Sequence, residues 1–180
     1  MKKLFDEIPV IESDQLILRK LSDADAPLIE EMTRSKLIYR YEPTFLFERQ
    51  YTDMHRMIRD AYGEIFEIKQ NLILAVHSIA DDQLCGLAEF YGYKETLRKT
   101  CVGYRLRESY QGKGIATQVC WLMMDYLLNS TDVEIITAST MVENQASARV
   151  LIKNGFTLVN SAVPEDWGYD HPTLADKWIL

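Results

Sequence analysis

Cysteine is scarce in this chain: Cys85, Cys101 and Cys120 are odd in number, far apart in sequence and set among apolar neighbours. That arrangement excludes a disulfide framework and a local metal-ligand spacing, so each is expected to be a small core residue. Histidine is equally sparse, and His55, His77 and His171 stand too far apart for a local metal motif. No metal is expected. Basic residues are outnumbered, 20 Lys and Arg against 27 Asp and Glu for a net charge of −7. Binding to nucleic-acid phosphate needs a basic face, so no nucleic-acid partner is expected, and an acidic surface suits a cationic or amine substrate better. No apolar run approaches the ~18 residues of a membrane helix, which leaves no membrane partner. The opening "MKKLFDEIPVIESDQ" is broken by acids and a proline and does not resemble a secretory signal, so the expected location is the cytoplasm. Repeats, low-complexity tracts and linkers are also missing. With 180 residues, 47% of them hydrophobic and 26% charged, one domain over residues 1–180 is expected.

What is present is a periodicity that switches along the chain. "QLILRKL" (15–21) alternates as a half-buried strand, and "SDADAPLIEEMTRS" carries cap residues and a proline near a helix start, predicting a helix over 23–35. Residues 36–63 are aromatic-rich and read as a loop followed by a second helix. "LILAVHSIA", "LCGLAEFYGY" and "KTCVGYRLRE" are strand-like and joined by short connections, which predicts an antiparallel meander. Ile115, Val119, Leu122, Met123, Tyr126 and Leu127 then recur at helical spacing until Asn129 and Ser130. "VEIITAST" is a strand, and "ENQASARVLIKNG" a short helix with Asn144 as its cap and Gly155 just past its end. "FTLVNSAV" and "DKWIL" are further strands on either side of a loop. The fold class is α/β of the α+β kind.

Residues 107–117, "RESYQGKGIAT", place two glycines where a strand gives way to a helix. Unpaired amides of a first helical turn and the helix dipole make such a place an anion site, and Gly112 and Gly114 lack the Cβ that would keep an anion off the backbone. Glycine also occurs in such turns for backbone reasons alone. The stretch is not a Walker loop, and it is not G-x-G-x-x-G, because Thr117 stands at the third glycine. It also follows a meander instead of opening a βαβ unit.

What it fits is Q/R-x-x-G-x-G/A, filled by Gln111, Gly114 and Ala116. With "LILRKLSDADAPLIEEM" before it and "ENQASARVLIKNGF" after it, the chain resembles the GNAT superfamily of acyl-CoA-dependent N-acetyltransferases, in particular the branch with the ribosomal-protein N-terminal acetyltransferases. The resemblance implies a mixed, mostly antiparallel sheet of about six to seven strands with about four helices, its central strands splayed to hold acyl-CoA. It implies acetyl-CoA as co-substrate and direct acetyl transfer to a primary amine, on a protein N-terminus or a small molecule. The alternative is a non-catalytic acyl-CoA-binding module of the same fold, and both monomer and homodimer stay open. By the resemblance, the backbones of Tyr104, Arg105 and Leu106 pair with the pantetheine arm. Gln111, Gly112, Lys113, Gly114, Ile115, Ala116 and Thr117 form the pyrophosphate turn, with Lys113 either adding charge or remaining solvated. Asn144 caps its helix and, by the resemblance, also touches the pantetheine or acetyl end. Ser147 is either an ordinary helix-surface serine or the acid that protonates the CoA thiolate. The chain departs from the family at Leu151, where a tyrosine usually serves as that acid, and at Glu108, where a proline is common. Ser147 or an ordered water is the expected substitute.

An alkyl amine with a pKa near ~10 is protonated at neutral pH and must lose a proton before it attacks. Glu89, mid-strand among apolar residues, is either a direct or water-mediated base or a carboxylate pointing to solvent. Tyr91 and Tyr93 share its alternation and either face the same groove or pack. Tyr39, Tyr41, Trp167, Tyr169 and His171 lie in the least regular segments and either line an acceptor pocket or cap the core.

Overall fold

A computed structural model describes all 180 residues. Its strands are β1 (Ile11–Glu12), β2 (Leu16–Arg19), β3 (Asn71–Ser78), β4 (Gln83–Lys94), β5 (Lys99–Leu106), β6 (Ile135–Met141), β7 (Thr157–Glu165) and β8 (Thr173–Ile179). They form a single sheet in the order β1-β2-β3-β4-β5-β6-β8-β7, antiparallel except where β5 meets β6. The sheet has eight strands instead of six or seven, because β1 is only two residues long, too short for any period to show, and is fixed by pairing with β2 (Ile11 opposite Leu18).

The helices are α1 (Ala26–Arg34), α2 (Lys36–Tyr39), α3 (Met54–Met57), α4 (Gly63–Glu67), α5 (Ile115–Ser130) and α6 (Gln145–Lys153). Six are present where about four were expected, because residues 36–67 divide into short turns. Pro43 opens a 3-10 stretch, Asp53 caps α3 by accepting from the Arg56 amide, and a π turn over Ile58–Tyr62 leads into α4. No helix is long and apolar enough to cross a membrane.

Strand alternation sets the layers. Leu72, Leu74 and Val76 of β3 face a core with Val119, Met123 and Leu127 of α5, while Ile73 and Ala75 face a second core with Ile29 of α1 and Met57 of α3. Gly92 breaks this rhythm in β4. Its φ of +59° and a register shift between Tyr91 and Lys94 turn Tyr93 onto Phe5, with ring centroids 5.6 Å apart. Of the two readings for this set, a shared groove holds for Glu89 and Tyr91, and packing holds for Tyr93.

The site depends on one divergence. The β5–β6 ladder stops at Cys101 opposite Thr137, although β5 runs on to Leu106 and β6, whose other edge is paired with β8, runs on to Met141. From Val102 onward, that edge of β5 has no strand partner, and α6, which follows β6, closes the far side of the gap.

Candidate active site

The glycine turn is shaped by its backbone. Gly112 and Gly114 have φ values of +71° and +83°, left-handed conformations that side-chain-bearing residues adopt only at a cost. A Cβ added at either would meet no protein atom within 4 Å, so the turn faces open space. The Gln111 side chain braces it from behind, Nε2 donating to the Leu106 carbonyl at 3.0 Å. Thr117 and Gln118 are the first amides of α5 to reach a carbonyl, both at Gly114. The amides of Gly112, Lys113, Gly114, Ile115 and Ala116 find no backbone acceptor, because no turn precedes them. Together with the dipole of a 16-residue helix they form a concentrated anion site.

This turn ends a cleft of about 450 Å³ in the gap between β5 and α6. Tyr104, Arg105 and Leu106 form its strand wall, Asn144 and Ser147 its helix wall, and Gln111, Gly112, Gly114, Ala116 and Thr117 its end. Two members of the turn contribute their amides while their side chains point away from the cleft. Lys113 carries its ammonium 5.7 Å from the centroid of the Tyr110 ring, and Ile115 packs against the core under α5. The sequence reading missed Arg149 and Lys153, which line the same cleft from α6. Their four-residue spacing puts both cations on one face, a signal that was present in the sequence.

Asn144 caps α6, its Oδ1 accepting from the Ser147 amide at 3.2 Å. Ser147 Oγ shares a 3.1 Å hydrogen bond with the Tyr104 hydroxyl. Leu151 is buried and brings no hydroxyl, but Tyr104 supplies one from the strand across the gap. Burial pushes the Tyr104 phenol far above its ordinary range, so it remains protonated at neutral pH and able to donate.

A second cleft of about 420 Å³ meets the first at Glu42, Tyr104 and Ser147. Glu89 and Tyr91 line it from β4, Phe47 and Trp167 from the irregular segments, and Glu165 and Asp166 add further carboxylates; no lysine or arginine lines it. Glu89 is half-buried within this cleft instead of pointing to bulk solvent, and the Asn71 amide donates to its carboxylate. Burial, reinforced by the charge of Glu42, raises Glu89 to about 8. Burial likewise raises Glu42 to about 7, against the pull of Arg105.

The five aromatic candidates separate. Trp167 lines the acidic cleft and Tyr41 the glycine-turn cleft. The Tyr169 hydroxyl donates to the Arg40 carbonyl at 2.7 Å and ties the two irregular segments together. His171 is exposed and lines neither cleft. Tyr39 is buried and donates to Glu48. That bond belongs to a network the sequence did not reveal: the Arg105 guanidinium grips Glu48 through both nitrogens, Nη1 at 2.9 Å, reaches the Tyr62 hydroxyl at 3.0 Å, and lies 4.0 Å from the centroid of the Phe45 ring. Arg105 thus lines one cleft while its guanidinium is held in the core beneath the other.

Comparison with known proteins places this geometry. The family described as acetyltransferase (GNAT) domain matches residues 15–157. The chain is 24% identical over 148 residues to an uncharacterized N-acetyltransferase, YoaA, of Bacillus subtilis (strain 168), covering 82% of each chain. It is 34% identical over 79 residues to the ribosomal-protein-serine acetyltransferase of Escherichia coli (strain K12), 43% of this chain and 44% of that one. Among solved structures, spermidine N-acetyltransferase from Vibrio cholerae in complex with CoA and spermine aligns with a TM-score of 0.76 at 21% identity, over 93% of this chain and 96% of that one. RimL, a ribosomal alpha-N-protein acetyltransferase in complex with coenzyme A, aligns with a TM-score of 0.77 at 18% identity, over 96% and 97%. At these identities the two structures show a shared fold.

Proposed function

Because the chain belongs to the acetyltransferase (GNAT) domain family and is an N-acetyltransferase, we propose that its donor is acetyl-CoA, its acceptor a cationic primary amine, and that the two meet at Ser147. The observation that carries this reading is the pair of clefts, about 450 and 420 Å³, one ending at a row of free amides and the other lined with carboxylates, which share Glu42, Tyr104 and Ser147. The amides from Gly112 to Ala116 would hold the pyrophosphate, Arg149 and Lys153 would add positive charge, and the unpaired edge of β5 would pair with the pantetheine arm. Bound acetyl-CoA supplies an acyl thioester open to attack by a neutral amine. The non-catalytic alternative is not favoured, since the family and its relatives are acetyltransferases.

Two protons must move. The carboxylates of the second cleft take the one that keeps the amine charged, and Glu89 is the one to which the sequence points. Ser147, backed by the Tyr104 hydroxyl, returns one to the departing thiolate. A Ser147→Ala chain is expected to keep its acetyl-CoA affinity by calorimetry and to lose about tenfold or more in turnover by thiol release. Tyr104→Phe should lose a similar factor, and the double variant little more than either, because both act on one proton. Unchanged turnover in Ser147→Ala, with chemistry rate-limiting, would assign that proton to another group.

For the acceptor, a protein N-terminus is the first choice and a small cationic amine the second. Glu42, Glu89, Glu165 and Asp166 line the cleft, only Glu165 among them paired with a lysine, Lys177 outside the lining, and Trp167 supplies an aromatic wall. The relatives named above are a ribosomal-protein-serine enzyme and a spermidine enzyme. The kcat/KM for a cationic acceptor is expected to fall as salt rises, since exposed charges are screened beyond about 8–10 Å at physiological ionic strength. Trp167→Ala should raise its KM. A salt series across peptide, polyamine and anionic amine acceptors checks both, and a best acceptor that is anionic would overturn the acidic-cleft reading while leaving the donor site standing. The enzyme would work in the cytoplasm as one domain over residues 1–180.

A further inference from the structure

Glu42 is absent from every sequence motif discussed, yet it lines the first cleft, the second cleft and a small void of about 10 Å³ between Glu89 and Arg105, about the size of one water. The chain places it there by opening a 3-10 stretch at Pro43, which sets Glu42 at the start of the turn and buries Glu48 at its end. The two carboxylates have opposite fates. Both oxygens of Glu48 are occupied by Arg105, one of them also by Tyr39, whereas the half-buried Glu42 carboxylate accepts no hydrogen bond and joins no ion pair within the protein. A half-buried carboxylate without an internal partner is free to accept from water or from a ligand in the cleft. Glu89, by contrast, is held by Asn71 and does not reach the first cleft.

We propose that Glu42 is a catalytic residue that completes the base: Glu89 keeps one proton of the carboxylate pair, and Glu42, at the junction of the clefts, takes the proton of the attacking amine. The proposal rests on the donor and acceptor reading of the two clefts. The ammonium gives one proton to Glu42, which later releases it to solvent. The neutral nitrogen forms the C–N bond to the acetyl carbon as the C–S bond breaks. The nitrogen's surplus proton passes by way of Ser147 and Tyr104 to the thiolate, so that amide, free thiol and one released proton balance ammonium and thioester.

The surroundings agree with that division. Glu42 is faced by Arg105 and Tyr104 from β5, by Glu89 and Tyr91 from β4, by Glu48 from its own segment and by Tyr169 from the loop before β8. The charge of Arg105 is already matched by Glu48. Like charges at Glu42 and Glu89 disfavour double ionisation and burial raises both carboxylates, so the pair retains one proton near neutrality; Glu42, which has no protein partner and lines both clefts, is the one open to the amine.

The test is the pH profile of kcat/KM for wild type, Glu42→Gln, Glu42→Asp and Glu89→Gln at saturating acetyl-CoA, on the best amine from an acceptor screen. Wild type should lose activity as pH falls through about 7, where Glu42 gains a proton. Glu42→Gln should keep its acetyl-CoA affinity and lose about a hundredfold in kcat. Glu42→Asp should retain the acid limb and part of the rate. Glu89→Gln should keep the acid limb, because Glu89 is neutral where Glu42 titrates and its replacement removes no charge. A Glu42→Gln enzyme within threefold of wild type, with its acid limb unmoved, would overturn the proposal. If that variant fails to bind acetyl-CoA, an acid limb that disappears in Glu89→Gln or in Glu42→Asp overturns it instead. A wild-type chain that binds CoA and acetylates no amine would overturn the cleft reading itself.

Discussion

A Gly114→Val chain is expected to remain folded and to bind CoA at least tenfold more weakly. The backbone at Gly114 has a φ of +83°, where a β-branched side chain costs about 1–2 kcal/mol. For a chain of this length that corresponds to a fall in Tm of about 2–8 °C, leaving folded protein to assay. The larger effect is on the ligand. A Cβ there touches nothing in the protein, so the new methyl groups occupy the open space in front of the amides of residues 112–116, where a phosphate would approach. Losing one or two charge-assisted hydrogen bonds of about 1.5–3 kcal/mol each weakens binding by tenfold to a hundredfold or more. Gly114→Ala should show the same effect in reduced form. Calorimetry on the folded variant decides, and unchanged affinity would remove the turn from the donor site.

The largest loss of stability is expected from Glu48→Ala. Glu48 is 1% exposed and Arg105 7% exposed, and removing one partner leaves a guanidinium buried without its counter-charge. Such a change typically costs about 3–5 kcal/mol. That corresponds to a fall in Tm of about 6–20 °C for a chain of this length. Tyr39 also loses its acceptor. Replacing both charges together, Arg105→Met with Glu48→Leu, should recover much of the loss, because no unpaired charge then stays buried. Denaturant unfolding of the single and double variants measures this, and a loss below about 1 kcal/mol in Glu48→Ala would contradict the role assigned to the pair. CoA affinity in the double variant should be unchanged, since Arg105 serves the first cleft through its backbone. If affinity falls in step with stability, side chain and backbone are not separable there.

The sequence by itself determined most of the elements and the turn that ends the first cleft. Period-two runs became β3, β4 and β5, the glycine turn and Asn144 stand where strand-to-helix spacing put them, and a 3.6 period became α5 over Ile115–Ser130. Each is a local decision, made by residues a few positions apart through backbone freedom, capping and the side of an element that is buried. Tertiary structure decided the pairings over distance. Tyr104 meets Ser147 across 43 positions and Arg105 meets Glu48 across 57, and neither pair leaves a trace in local spacing. Even Tyr93, whose alternation was legible, faces the other way because Gly92 takes a left-handed turn that a period count does not register. The acidic junction at Glu42 exists only because the β5–β6 ladder ends at Cys101, opening a gap that α6 and the segment around Pro43 close from opposite sides. Periodicity reports which face of an element is buried; where two neighbouring strands part depends on what packs between them from distant parts of the chain, and that is settled only when the whole sheet and its helices assemble.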